Sequence, residues 1–273
     1  LDSDGVKDAG ETEQQLYNLT QSTYDHRYFV DGAATTSDAF IGNNWKTFFV
    51  GSLGAGGRSV YSIDVSDSTF AVGDFKWEFT HANLGLTFGK PAIVRFPNNN
   101  WYAVFANGLN SYQDKASIFV VNVNNAADWA ELTVSNGDSP ASPNGMMSVG
   151  VALNSARTAS VIYGGDMKGN IWKFNVTSSG PAATGTKLFT AGDGTTGTPQ
   201  SITGGLRIGK HPAGGNLVFF GTGKYFENVD RSYTVSSTPQ IDSFYAVQDN
   251  GSTGLDRGDL QVQTLTTNNA TGL

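Results

Sequence analysis

The sequence predicts an all-β chain folded as consecutive blades of a β-propeller, and three observations lead there. Short apolar strands ending in Gly or Asn recur at nearly constant spacing. A Gly/Asn/Lys turn and a second apolar strand follow each copy. The composition is rich in turn formers and poor in charge: 34 glycines in 273 residues, 12% aromatics and only 15% charged residues, against roughly 25% charge in an average soluble domain.

The repeated strands are Phe48-Phe49-Val50-Gly51, Val104-Phe105-Ala106-Asn107, Val161-Ile162-Tyr163-Gly164 and Val218-Phe219-Phe220-Gly221, with spacings of 56, 57 and 57 residues. Their partners are Val60 to Val65, Ile118 to Val123, Ile171 to Val176 and Phe244 to Val247, so each pair reads as a hairpin. A further short apolar stretch precedes each hairpin, at Asp38 to Ile41, Pro91 to Phe96, Val149 to Leu153 and Gly205 to Ile208. Each unit therefore holds three or four strands, somewhat longer than the about 40 to 50 residues of common blades. Small residues such as Gly150-Val151-Ala152 and Gly204-Gly205 suit inner strands beside a crowded channel. A β-sandwich is the structural rival, but sandwiches do not repeat a whole hairpin unit at constant period. The expected blades are 24–80, 81–140, 141–195 and 196–260, within a propeller region 24–273; residues 1–23 form a partial blade or a calcium loop. Four blades either close on themselves or belong to a larger ring, and the larger ring is preferred because an open propeller leaves unpaired edges.

Composition also limits function. A net charge of −7 argues against nucleic acid, whose binding is driven by Lys and Arg. With no cysteine, disulfides, thiolate nucleophiles and Cys-ligated metals are excluded. No apolar run reaches the about 18 residues of a membrane span, so no membrane insertion is expected. A start at Leu1 without Met suggests a fragment or processed product, with any export signal upstream.

Six segments in order carry a resemblance: Tyr24-Asp25-His26-Arg27-Tyr28-Phe29-Val30-Asp31-Gly32, Trp45-Lys46-Thr47, Gly51-Ser52-Leu53-Gly54-Ala55-Gly56-Gly57-Arg58, Leu86-Thr87-Phe88-Gly89-Lys90-Pro91, Gly164-Gly165-Asp166-Met167-Lys168-Gly169-Asn170-Ile171-Trp172-Lys173-Phe174 and Phe220-Gly221-Thr222-Gly223-Lys224-Tyr225. From about Tyr24 to Asp249 the chain resembles the C-terminal propeller of the PilC/PilY type IV pilus tip adhesins. The resemblance implies a modified seven-bladed, quinoprotein-like propeller in a large exported protein of a Gram-negative bacterium. It further implies a place at the pilus tip or outer-membrane surface, contact with minor pilins and with host or abiotic surfaces, and roles in pilus assembly, adhesion and twitching motility. A quinoprotein dehydrogenase and a periplasmic outer-membrane assembly scaffold are the alternatives. The family often carries an Asp-rich calcium loop just before the strand that starts here at Val161. The corresponding stretch, Leu153 to Ser160, has no carboxylate, so calcium control is not expected there.

A different Ca²⁺ candidate lies at the start. Asp2, Asp4, Asp8 and Glu11 fit the third, fifth, ninth and twelfth positions of an EF-hand-type loop, with Gly5 at the sharp turn and the Val6 carbonyl as a further ligand. The first ligand would precede Leu1, and Ser3-Asp4-Gly5 reads equally as a hairpin turn. Arg257-Gly258-Asp259 is an integrin-type tripeptide on a polar stretch, a receptor-binding candidate through Asp259. Catalysis has little support, because His26, His81 and His211 are widely spaced and no Ser sits in a nucleophile elbow. The chain is expected to be no enzyme. Gly54-Ala55-Gly56-Gly57 links two strands, which favours a hairpin loop over a phosphate cradle. The five Trp residues could stack on sugars, though most are expected to pack blades. Binding is expected through loops on rigid blades, notably 107–116, 126–147, 177–197 and 227–242.

Overall fold

The computed structural model describes residues 21–194, 197–226, 230 and 242–263. Four antiparallel sheets follow one another along the chain. The first orders β1 (Ala34–Ile41), β2 (Asn44–Ser52), β3 (Ser59–Asp64) and β4 (Phe75–Thr80). The second orders β5 (Ala92–Arg95), β6 (Trp101–Ala106), β7 (Ser117–Asn122) and β8 (Asn125–Thr133). The third contains β9 (Met146–Leu153), β10 (Ala159–Asp166), β11 (Asn170–Thr177) and β13 (Thr186–Thr190), with the short β12 (Gly180–Pro181) on β11. The fourth has β14 (Arg207–Lys210), β15 (Asn216–Gly221) and β16 (Phe244–Asp249), while β17 (Leu255–Asp256) pairs in parallel with β13 of the third sheet.

Alternation along the strands shows how the sheets stack. Val104, Ile118 and Val120 enter a core with Met146, Ile162, Trp172 and Phe174 of the third sheet. Their neighbours Phe105, Phe119 and Val121 point the other way, into a core with Phe48, Val50 and Phe79 of the first. Tyr163 and Ile171 in turn meet Val218, Phe220, Tyr245 and Val247 of the fourth. Successive side chains of a strand face opposite sides, so the second and third sheets are each clasped between two others. Hence β6 and β7 read as near-continuous apolar runs. This is radial stacking, not a two-sheet sandwich. The first strands neighbour one another in order, β1 against β5, β5 against β9 and β9 against β14.

The end sheets keep open outward faces, with Trp45 67% and Phe244 74% exposed. Polar clasps join the sheets. Tyr163 Oη donates to Asp249 Oδ2 at 2.7 Å and accepts from Asn216 Nδ2 at 2.9 Å, and Lys173 Nζ meets Asp249 Oδ1 at 2.7 Å. Burial, reinforced by the Asp249 charge, raises the Tyr163 pKa and keeps its hydroxyl a donor. Between the first two sheets, Trp77 Nε1 donates to the Asn122 and Val123 carbonyls and Ser62 Oγ to Val123 O.

Two expected loops contain strands. Residues 126–133 belong to β8, and 177–197 contain β12 and β13. β8 is the outer strand of its sheet, so its Asn-Ala-Ala-Asp-Trp-Ala-Glu-Leu-Thr sequence buries little beyond Leu132 and carries a thin apolar signal.

Candidate functional site

Strand direction sorts the connections between two ends of the sheets. At one end lie tight links such as 42–43, 96–100, 123–124 and 154–158. The 154–158 turn, where the family's calcium loop would fall, is closed by Asn154 Nδ2 to Thr158 Oγ1 at 2.7 Å and Thr158 N to Asn154 Oδ1 at 3.0 Å. The opposite end carries 53–58, 81–91, 107–116, 134–145, 167–169, 191–194 and 197–206, followed by 222–226 after β15. Five of the six segments that carried the resemblance fall at this loop end; only Trp45-Lys46-Thr47 does not.

Main-chain hydrogen bonds lace these loops together across all four sheets. Gly54 N donates to Thr87 O (3.2 Å), Leu109 N to Leu86 O (3.2 Å), Gly108 N to Met146 O (2.8 Å), Met167 N to Gly145 O (3.1 Å), Ile202 N to Asp166 O (3.0 Å) and Gly223 N to Ser201 O (2.8 Å). At one of these contacts the close approach requires glycine. Gly108 has φ +76°, and a Cβ there would collide with the Leu86 carbonyl oxygen.

Two fully buried polar side chains pin the belt. Asn107 Oδ1 accepts from the Ser117 and Met146 amides, while its Nδ2 donates to the Asn83 and Lys115 carbonyls, so all its bonding capacity is used. Asp166 accepts from Asn170 N at 2.8 Å, Asn170 Nδ2 at 3.0 Å, Trp172 Nε1 at 2.8 Å and Asn144 Nδ2 at 3.1 Å. Burial raises the Asp166 pKa, against the opposing pull of these N–H donors. Asn144 also bonds Asp138, which Lys168 Nζ meets at 2.8 Å, tying the 134–145 loop to the 167–169 turn. Sequence reasoning missed both pins as functional supports. The available signal was a lone Asn or Asp beside glycine at the C-terminal end of a buried strand.

On this laced frame sit exposed aromatic side chains: Tyr28, Phe29, Tyr112 (79% exposed), Tyr225 (69%) and Phe226. Phe226 packs on Phe88 with ring centroids 5.2 Å apart, joining the segment after β15 to the entry of the second sheet.

The calcium candidates Asp2, Asp4, Val6, Asp8 and Glu11 lie outside the described residues. Among the described residues, no group of three or more His, Asp or Glu side chains converges on a metal position. The Arg257-Gly258-Asp259 tripeptide forms a short 3-10 turn. There Arg257 Nη1 donates to Ser243 Oγ at 2.9 Å and Tyr245 Oη at 3.2 Å, and Asp259 Oδ2 accepts from Asp256 N at 2.9 Å. Both charged ends are thus bonded within the chain. Trp77 and Trp172 pack blades, whereas Trp45 and Trp129 are exposed. His26 packs edge-on against Tyr28, and His81 and His211 each accept a local backbone amide.

Stacked antiparallel modules built on repeated hairpins, with a glycine-rich laced loop end, define a β-propeller domain. The model of the PilY1 beta-propeller domain matches residues 3–273, and the chain belongs to that family. It is 34% identical over 256 residues to a Type IV pilus biogenesis factor PilY1 homolog of Xylella fastidiosa, covering 86% of this chain and 17% of that protein. It is 33% identical over 289 residues to the Type IV pilus biogenesis factor PilY1 of Pseudomonas aeruginosa PAO1, covering 92% of this chain and 24% of the relative. The crystal structure of the Pseudomonas aeruginosa PilY1 C-terminal domain superposes with a TM-score of 0.71 at 31% identity, covering 85% of this chain and 52% of that one. The chain therefore spans about a quarter or less of these curated relatives and about half of the solved domain. No helix among the described residues is long and apolar enough to cross a membrane.

Proposed function

We propose that this chain is a non-enzymatic docking module of the type IV pilus, whose loop end holds minor pilins or other tip subunits and presents the assembled protein to surface receptors. One observation carries the reading: exposed Tyr28, Phe29, Tyr112 and Tyr225 stand on segments that backbone hydrogen bonds tie to neighbouring loops. Tyr and Phe are enriched at protein interfaces, and a preorganised frame lowers the ordering cost of binding. The relatives' role in pilus biogenesis supports the choice of partner. The site of action is then extracellular, at the pilus tip or outer-membrane surface of a Gram-negative bacterium, and the open faces at Trp45 and Phe244 suit an arc of a larger ring. Calcium held by Asp2, Asp4, Val6, Asp8 and Glu11 belongs to the same proposal. Receptor contact through Arg257, Gly258 and Asp259 would first require the internal bonds of Arg257 and Asp259 to open. The test replaces Tyr112 and Tyr225 together by Ala in the full-length protein: piliation and tip incorporation should fall while protein level holds, and normal piliation would refute the docking role.

A further inference from the structure

A groove of about 400 Å³ opens at the loop end, at the outer rim of the second sheet, lined in part by Asn83, Lys115, Ser117, Glu131 and Ser135. Glu131 lies on β8 opposite Phe119, on the face turned toward the first sheet. Both of its carboxylate oxygens accept from the single Asn83 Nδ2, each at 3.1 Å. Among the described residues it has no ion-pair partner. Turning the Asn83 amide to hold Glu131 leaves Asn83 Oδ1 buried without a partner. Ser117, only 1% exposed, likewise has an unpartnered Oγ in the wall. Unmade buried hydrogen bonds are destabilising, and those that persist in native folds call for a functional explanation. Here the orphaned amide oxygen and the Ser117 hydroxyl belong to residues that line one groove together with Glu131.

The chemistry of the wall narrows what that is. Asp138 at the far side is neutralised by Lys168, and Glu131 shares the groove with the exposed Lys115, so the charges balance and no ionic ligand is called for. The lining offers donors and acceptors together: the Lys115 ammonium, the Ser135 hydroxyl and the Glu131 carboxylate. Val134 and Ala116 supply apolar wall in the same groove. A pyranose matches this set, because each hydroxyl both donates and accepts while its C–H face is apolar. We propose that the groove binds a neutral saccharide, with adjacent hydroxyls shared between Glu131 and Lys115 and the C–H face of the ring against Val134 and Ala116. This site does not depend on the protein-docking role.

Saturation-transfer NMR with the intact chain tests it, using methyl mannoside, methyl galactoside, methyl glucoside and N-acetylglucosamine, with N-acetyl-lysine amide as a cationic comparison. At least one sugar should receive saturation. Glu131→Gln, which keeps shape but replaces the acceptor charge, should weaken its binding about tenfold, while Trp45→Ala at the opposite end should not. Should Glu131→Gln fail to fold, Lys115→Met on an exposed position serves the same comparison. Transfer to none of the sugars, equal transfer in the groove variants, or binding of the lysine probe alone would each overturn the assignment.

Discussion

The amide of Gly108 donates to the carbonyl of Met146 at 2.8 Å, fastening the loop of the second sheet to the first residue of the third. With Gly108 at φ +76° and the Leu86 carbonyl oxygen where a Cβ would stand, this contact admits only glycine. Gly108→Ala should therefore cost about 2 kcal/mol or more, from left-handed strain plus collision. Gly137→Ala, at φ +66° with open space around it, should cost only about 1 kcal/mol. Urea unfolding of the two variants checks the difference.

Asp166→Ala should be among the most damaging single changes, because it strands the Trp172, Asn170 and Asn144 donors in a dry site. A loss of about 3 kcal/mol is expected. Asp38→Ala, which removes an exposed bond to Thr47 Oγ1, should stay within about 0.5 kcal/mol. Thermal denaturation of both gives the comparison.

Acid should weaken the first sheet through Asp64. Burial alone would raise its pKa, but the Lys46 ammonium at 2.6 Å and the Ser66 hydroxyl and amide outweigh it, lowering the pKa from 3.8 to about 2. A depressed folded pKa contributes stability that is present above the unfolded value and lost as pH falls through the folded one. The loss should span pH 3.8 to about 2 and be blunted in Asp64→Asn. Asp166, with its raised pKa, works in the opposite sense, its ionised form being the disfavoured one. Stability measured against pH by urea midpoint, in wild type and in the Asp64→Asn variant, resolves the Asp64 contribution.

Calcium titrated into the intact chain should release heat that disappears in the paired change Asp4→Asn and Glu11→Gln. These two residues supply a central and a bidentate carboxylate in the EF-hand-type pattern. Identical calorimetric traces for wild type and variant would leave Ser3-Asp4-Gly5 as a turn.

Much of the fold was legible because burial on two sides writes itself as unbroken apolar runs. Ile118 to Val121 and Val161 to Tyr163 are such runs, and the repeated hairpins are β2–β3, β6–β7, β10–β11 and β15–β16. The outer strand β8 was less visible, since most of its residues stay open to solvent and only Leu132 is buried. The glycine-rich segments could be read as loops but not as one belt. That belt arises from pairings such as Gly108 with Met146 and Ser201 with Gly223, which depend on how sheets stack. The Glu131 groove was hidden for the same reason, since Asn83 and Glu131 lie 48 residues apart and meet only between sheets.

Binding of purified minor pilins to the immobilised chain, with a charge placed at either end of the sheets, tests the docking face most directly. Tyr112→Arg at the loop end should abolish binding, while Trp45→Arg at the opposite end leaves it intact. Loss of binding with Trp45→Arg and retention with Tyr112→Arg would place the partner elsewhere and contradict the account.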